Sequence, residues 1–328
     1  MVSLLQVFTG PLATIIRILV FPGLSFALVF VLFMVWYERK LLAKMQVRVG
    51  PLYAGGFEGI LQPIADFVKL LFKELIVPKE ADKIFFILAP TMMMALSASM
   101  LALIPLSPSY MITDSSVAIL IVIALLSLSP LTIMVAAWAS NNKYSMIGGL
   151  RALHQMTSYA IPLSLSVLGV VIMSGSFSLV SIVESQKSFW FVFLQPLGAF
   201  VFFVAALAEL ERVPFDIPEA ETEIVMGWET EYSGINYGII MTAAYIKFYA
   251  LAVLFTELFL GGWLGPAPMP PPLWTILKTL LVVTLMMIPR GVYPRFRIDQ
   301  MLRFGWTRLL PLSLINLMIS LGLVTFLK

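Results

Sequence analysis

Eight of the chain's eighteen carboxylates, Glu209, Glu211, Asp216, Glu219, Glu221, Glu223, Glu229 and Glu231, fall within 23 residues, between two long apolar runs. Arg212 is the one basic residue among them. Acids crowded beside a membrane repel one another, and repulsion and lost hydration both favour the protonated form. Such a stretch is suited to handling protons or cations. Pro214 and Pro218 restrict its backbone, Asp216 is placed to cap a short helix with Pro218 in its first turn, and Glu219 and Glu223 would then share a face at i,i+4. The alternative is a solvated acidic loop against a basic partner, but the interleaved Phe215, Ile217, Ile224, Val225, Met226 and Trp228 point to a partly buried segment. Lys247 falls near the centre of the next apolar run, where an unpaired ammonium costs about 3 kcal/mol on insertion scales, so it should face a carboxylate or water. It either pairs with an acid of a neighbouring subunit for assembly or serves as a station for ions.

The elements that must position these groups are membrane helices. A mean hydropathy of +0.97 over 328 residues, with 24 Phe and 19 Met, excludes a soluble globule. The absence of Cys excludes disulfides and thiolate metal sites, and a single His, His154, leaves no ordinary haem or zinc constellation. No cofactor is expected on this chain. A net charge of only +3, carried in membrane-flanking loops, argues against nucleic acid as a partner. The N-terminus lacks a basic n-region and a cleavage site, so its first apolar segment is expected to remain as a helix.

Apolar runs of membrane-crossing length fall near 12–37, 84–106, 116–139, 155–175, 189–208, 235–259, 273–290 and 306–327. This predicts a single all-α polytopic domain, 1–328, with eight transmembrane helices, several kinked by Pro22, Pro90, Pro130, Pro162, Pro196 and Pro289. Sixteen of the 21 basic residues lie in the loops after the odd-numbered helices, which places those loops in the cytoplasm and both termini outside. Two cytoplasmic segments stand out, 38–83 and 209–234. In the first, Ile60, Leu61, Ile64, Val68, Leu71 and Phe72 recur at helical spacing, an amphipathic helix along the membrane surface that floors a cavity or docks a partner. Gln62 and Asp66 belong to it. Arg39 and Lys40 read as ordinary positive-inside anchors, whereas Arg48, in a tight exit with Gln46, Gly50 and Pro51, is placed to hold a neighbouring loop. Glu257 and Lys278 lie toward outer helix ends, where snorkelling is the default.

Four stretches, ERKLLAKMQVRVGP at 38–51, GILQPIADFVKLLFKE at 59–74, SNNKYSMIGGLRALHQMTSY at 140–159 and ERVPFDIPEAETEIVMGWETEYSG at 211–234, resemble the membrane component of respiratory complex I known as subunit 1 or as the H subunit. That family includes the matching subunits of ferredoxin-linked membrane hydrogenases and sulfur-reducing relatives. The resemblance implies a multi-pass protein of the cell membrane of a bacterium or archaeon that anchors a peripheral electron-transfer arm, carrying the iron–sulfur clusters, to antiporter-like membrane subunits. It also implies a relay role for Glu209, Glu211, Asp216, Glu219, Glu221 and Glu223, to which Lys247, on its place in helix six alone, would add a further station. Arg39, Gln46, Arg48, Gln62, Asp66, Arg151, Arg212, Glu229 and Glu231 would line the cavity or meet the partners.

Two positions depart from the family pattern. Quinone-reducing members commonly carry an acid directly after the Ser-Tyr of helix four and another directly before a Tyr of helix six. Here Ala160 follows Ser158 and Tyr159, and Ala244 precedes Tyr245. The loss favours a ferredoxin-driven branch that reduces protons or sulfur, with Lys247 the candidate to compensate. The alternatives are a quinone-reducing dehydrogenase subunit lining a quinone cavity, and a passive scaffold or stand-alone ion transporter.

Overall fold

The computed structural model describes residues 17–327 and is all-helical among them. The helices are α1 (Leu24–Met45), α2 (Gln62–Phe72), α3 (Lys83–Leu103), α4 (Ala118–Ala139), α5 (Lys143–Ser174), α6 (Leu179–Ser185), α7 (Phe191–Leu194), α8 (Pro196–Glu209), α9 (Glu221–Ile224), α10 (Gly234–Phe259), α11 (Pro271–Val292), α12 (Ile298–Phe304) and α13 (Leu310–Leu327). Seven stretches among the described residues are long and apolar enough to cross a membrane: Arg17–Met45, Lys83–Leu103, Ala118–Ala139, Lys143–Ser174, Gly234–Phe259, Pro271–Val292 and Ile298–Thr325. The first residues of the expected 12–37 span lie outside the described ones.

The run expected over 189–208 is divided. Gln195 leaves helical geometry after the single turn of α7, and Pro196, which has no N–H to donate, opens the 14-residue α8. Prolines behave as their chemistry dictates elsewhere too. Pro90, Pro130, Pro162 and Pro289 sit inside helices, while Pro22 precedes α1 rather than kinking it. Side-chain caps set two helix starts: Asp82 accepts from Ile84 N at 3.2 Å, and Asn142 from Tyr144 N at 2.9 Å.

α10 is the axis of the bundle. Every residue from 246 to 259 is buried, so no stripe of that stretch faces lipid. Leu120, Leu128 and Leu131 of α4 and Leu281 and Leu285 of α11 instead point outward, as lipid-facing residues should. Phe202, Phe255 and Phe259 interlock between α8 and α10 at centroid distances of 5.2–5.8 Å.

The segment between α8 and α10 is fastened to the bundle. Ser145 donates to the Trp228 carbonyl (3.1 Å), Gln155 to the Ala208 carbonyl (2.7 Å), and Tyr232 stacks on Phe86 at 4.3 Å. Two glycines permit this contact. A Cβ on Gly148 of α5 would stand 2.5 Å from Trp228 N, and Gly227, at φ +58°, would drive a Cβ to 1.8 Å from the Pro218 carbonyl oxygen. Gly148→Ala is therefore expected to lower stability by about 1–3 kcal/mol, seen as a lower Tm of detergent-purified protein. Gly322→Ala, with open space around it, should leave the Tm within error.

Candidate functional site

Lys247 reaches from the middle of α10 to the end of α8. Its ammonium donates to Glu209 Oε1 (2.8 Å), to the Glu209 carbonyl (3.0 Å) and to Ser129 Oγ on α4 (2.9 Å). All three donors are used, by groups of this same chain. Of the two roles open to Lys247, pairing with a neighbouring subunit's acid is thus not needed to satisfy it. Glu209 is 1% exposed, and its second oxygen has no hydrogen-bond partner among the described residues.

Glu209, Glu211, Glu219, Glu229, Ser97, Ser129 and Lys247 line one cavity of about 70 Å³, walled elsewhere by Met93, Met100, Met156, Trp228 and Ala244. A water needs roughly 10–15 Å³ of such space and two to four polar partners, so the cavity suits a short water file. Burial pushes the Glu211 carboxyl up to about 8, helped by the charge of Glu219 and opposed by Lys247. Burial likewise lifts Glu219 to about 7, with Asp216 adding and Arg212, Arg290 and Arg295 opposing. Glu229 rises well above the ordinary carboxylate range, through burial and then through Glu219, Glu211 and Asp216. Burial and mutual charge thus shift all three carboxyls toward the protonated form.

A cationic cluster stands beside them. Glu38, 1% exposed near the end of α1, accepts from Arg212 Nη1 at 2.5 Å, from Arg290 of α11, and from the Tyr245 hydroxyl at 3.0 Å. Arg212 also lies over the rings of Tyr245 (4.7 Å) and Phe248 (4.8 Å). Glu38 thereby ties α1, α10, α11 and the acidic segment together, and Arg295 pairs with Asp216 at 2.8 Å nearby.

The expected Glu219/Glu223 face does not form. The helix is only Glu221–Ile224, capped by Ala220 rather than Asp216, because Pro214–Ala220 packs as buried turns around Phe215 and Ile217. Glu219 consequently faces the cavity, whereas Glu221 is exposed and Glu223 pairs outward with Arg151 at 2.6 Å. Glu229, expected at a partner surface, belongs to the buried cluster, and half-buried Glu231 accepts from Asn142 at 2.5 Å. Val225 holds φ +63° and Glu211 φ +52°, strain of about 1–3 kcal/mol each at the two ends of the irregular stretch.

A second cavity, about 200 Å³ and mainly apolar, lies between α1, α2 and α10. α2 floors it, but not with the expected stripe: Pro63, Asp66, Phe67 and Leu70 line the cavity with Arg39, Tyr237 and Tyr245. Ile60, Leu61, Ile64, Val68, Leu71 and Phe72 point away and are exposed. Asp66 pairs with Arg39 and accepts from Gln62 at 3.0 Å, and Lys40 pairs with Glu58 at 2.5 Å, so these bases are more than anchors. Among the described residues Arg48 donates to Gln46 Oε1, at 2.7 Å, within its own turn. Among the described residues no three His, Cys, Asp or Glu are grouped to hold a metal ion.

A family profile described as NADH dehydrogenase matches residues 18–321. The H subunit of the NADH-quinone oxidoreductase of Anoxybacillus flavithermus is 46% identical over 295 residues, covering 89% of this chain and 88% of the relative. The chain belongs to the H-subunit family of complex I. The subunits of the same name from Geobacillus thermodenitrificans (45% over 294 residues, 89% of each chain) and Bacillus thuringiensis (45% over 310 residues, 92% and 93%) are similarly close. Together with the seven apolar helices, this makes the chain a multi-pass membrane subunit.

The residues of this cluster that sequence reasoning left out are Glu38, Tyr245, Arg290 and Arg295. Glu38 had a signal, since an acid ending an apolar helix before Arg39 and Lys40 breaks the positive-inside pattern; the others had none, being distant in sequence. Glu257 and Lys278 are buried as well, at 0% and 9% exposure, rather than snorkelling.

Two outcomes follow for purified protein. Lys247→Met should cost about 3–5 kcal/mol by stranding Glu209, and Lys247→Met/Glu209→Gln should recover most of it, read by thermal unfolding. Because the folded chain keeps a proton on Glu211 between the ordinary value of 4.5 and about 8, that stability is present below pH 4.5 and lost as pH rises to 8. Glu211→Gln should flatten the decline in Tm from pH 5 to 9.

Proposed function

We propose that the chain is the connecting subunit of an ion-translocating, quinone-reducing complex, joining a peripheral electron-transfer arm to antiporter-like membrane subunits. One observation carries the reading: the two cavities are joined through charged side chains. Tyr245 lines the apolar cavity and donates to Glu38. Glu38 holds Arg212, whose chain neighbour Glu211 lines the acid cavity. A change of charge in the first cavity therefore acts on the proton affinity of the second. Adjacent residues of α10 face the two sides, Ala244 the acid cavity and Tyr245 the apolar one.

The family names favour the branch. Relatives at 45–46% identity are NADH-quinone oxidoreductase subunits, which supports quinone over ferredoxin-linked proton or sulfur reduction. The missing acid at 244 is compatible with this, because Glu209 and Lys247 supply a carboxylate and a cation to the same cavity. The apolar cavity is smaller than common ligand sites of about 300–1,000 Å³, and a partner subunit would complete it around the quinone head. Iron–sulfur clusters belong to the partners. In the cell membrane, α7 and α8 together make the eighth crossing, the acidic segment and the odd loops face the cytoplasm, and both termini face outward. Strained Val225 and the glycine at 227 allow the segment the two arrangements that coupling requires.

In the complex reconstituted into vesicles, Glu219→Gln should reduce ion pumping at least about tenfold while membrane insertion stays intact. Glu223→Gln, whose carboxylate points to solvent, should keep more than half of it. Native pumping by Glu219→Gln would defeat the reading.

A further inference from the structure

A second buried acid and base lie at the opposite end of the bundle from the acidic segment, and the proposed relay uses neither. Glu257, in the last turn of α10, is 0% exposed, and among the described residues neither carboxyl oxygen has a hydrogen-bond partner. Lys278 of α11 donates to the carbonyls of Leu260 (2.7 Å), Gly262 (2.9 Å) and Leu264 (2.6 Å) and stands 4.4 Å from the centre of the Trp190 ring. Its three protons are thus spent on uncharged acceptors.

Gly262 adjoins both groups. Its carbonyl holds the ammonium, and a Cβ on it would lie 3.6 Å from Glu257 Cγ. The surroundings offer the carboxyl nothing else. Gln186 donates to the Glu257 backbone carbonyl at 2.7 Å, Thr256 donates to the Ala252 carbonyl and Thr275 to the Leu106 carbonyl. Tyr249, two turns back on α10, also interacts electrostatically with the carboxyl, whereas Glu184 and Lys187 near α6 are exposed. An ionised Glu257 would be a bare buried charge, which is prohibitive unless a cation meets it. Lys278 holds the carbonyl of Gly262, the residue that also neighbours the Glu257 side chain.

We propose that Glu257 and Lys278 form a proton-binding site with two arrangements. In the one described, Glu257 carries a proton and Lys278 rests on the carbonyls at 260, 262 and 264. In the other, the carboxyl O–H bond has broken and its proton has passed to water at that end of the bundle. Lys278 has then left its carbonyls to pair with the carboxylate, and the site's charge has fallen from +1 to zero. Binding and release of one proton thus moves the ammonium and reshapes the turn at 260–264.

Infrared difference spectroscopy on the full chain in its complex, titrated from acid to alkaline pH, reads the C=O stretch of protonated carboxyl groups without relying on ion pumping. Native protein should show a reversibly titrating band that Glu257→Gln abolishes. Lys278→Met, leaving no ammonium to meet the carboxylate, should raise its midpoint by about one pH unit or more, a tenfold gain in proton affinity. A spectrum unchanged in Glu257→Gln, a band that does not titrate, or an unmoved midpoint in Lys278→Met overturns the proposal. Should Lys278→Met fail to fold, Lys278→Arg decides it: a retained, titrating band supports the site and a lost one overturns it.

Discussion

A charge inside hydrocarbon must be met by an opposite charge or given up, and the rest of the fold is arranged around that requirement. Lys247 is met by Glu209, and Glu38 is met by two guanidiniums. Glu211 and Glu229 form no ion pair among the described residues, and burial with the charge of neighbouring acids pushes both carboxyls up. Because the cations stand at fixed places along α10, α11 and the chain after α8, they set which carboxyls ionise readily and which do not. Burial and crowding raise the proton affinity of Glu211, Glu219 and Glu229.

The backbone serves the same arrangement. Gly148 lets the segment after α8 press against α5, and the stacked Phe86 and Tyr232 hold its far end to α3. Between α8 and these fastenings the chain is irregular, with positive φ at Glu211 and Val225. Tyr245 of the apolar cavity donates to Glu38, which holds Arg212, the chain neighbour of Glu211 in the polar cavity.

Much of this was legible in the sequence because hydropathy and charge are local signals. The long apolar runs, the amphipathic α2 and the acid-rich segment are each written within a few tens of residues, and the motifs at 38–51 and 211–234 carried the family. What sequence could not supply was side-chain direction in an irregular chain. The i,i+4 argument for Glu219 and Glu223 assumed a helix that Pro214 and Pro218 prevent, and so one acid faces inward and the other outward. The α2 stripe was visible but not which face meets the cavity, since both faces carry apolar residues. Contacts such as Arg290 to Glu38, 252 positions apart, leave no trace in spacing. Lys247 is the intermediate case. Its need for a partner followed from the cost of an ammonium in lipid, but the identity of that partner required the fold.

The enclosure of α10 has a consequence for how the protein is made. A helix bearing Lys247 and Glu257, buried on every side from 246 to 259, enters bare lipid poorly when it leaves the translocation machinery, since a central Lys or Asp costs about 2.5–3.5 kcal/mol on insertion scales. Its partners α4 and α8 are synthesised earlier and can await it, but Lys278 comes later, on α11. Biogenesis is therefore ordered: the ribosome must deliver α4 and α8 before α10 can settle, and α11 closes over a helix already in place.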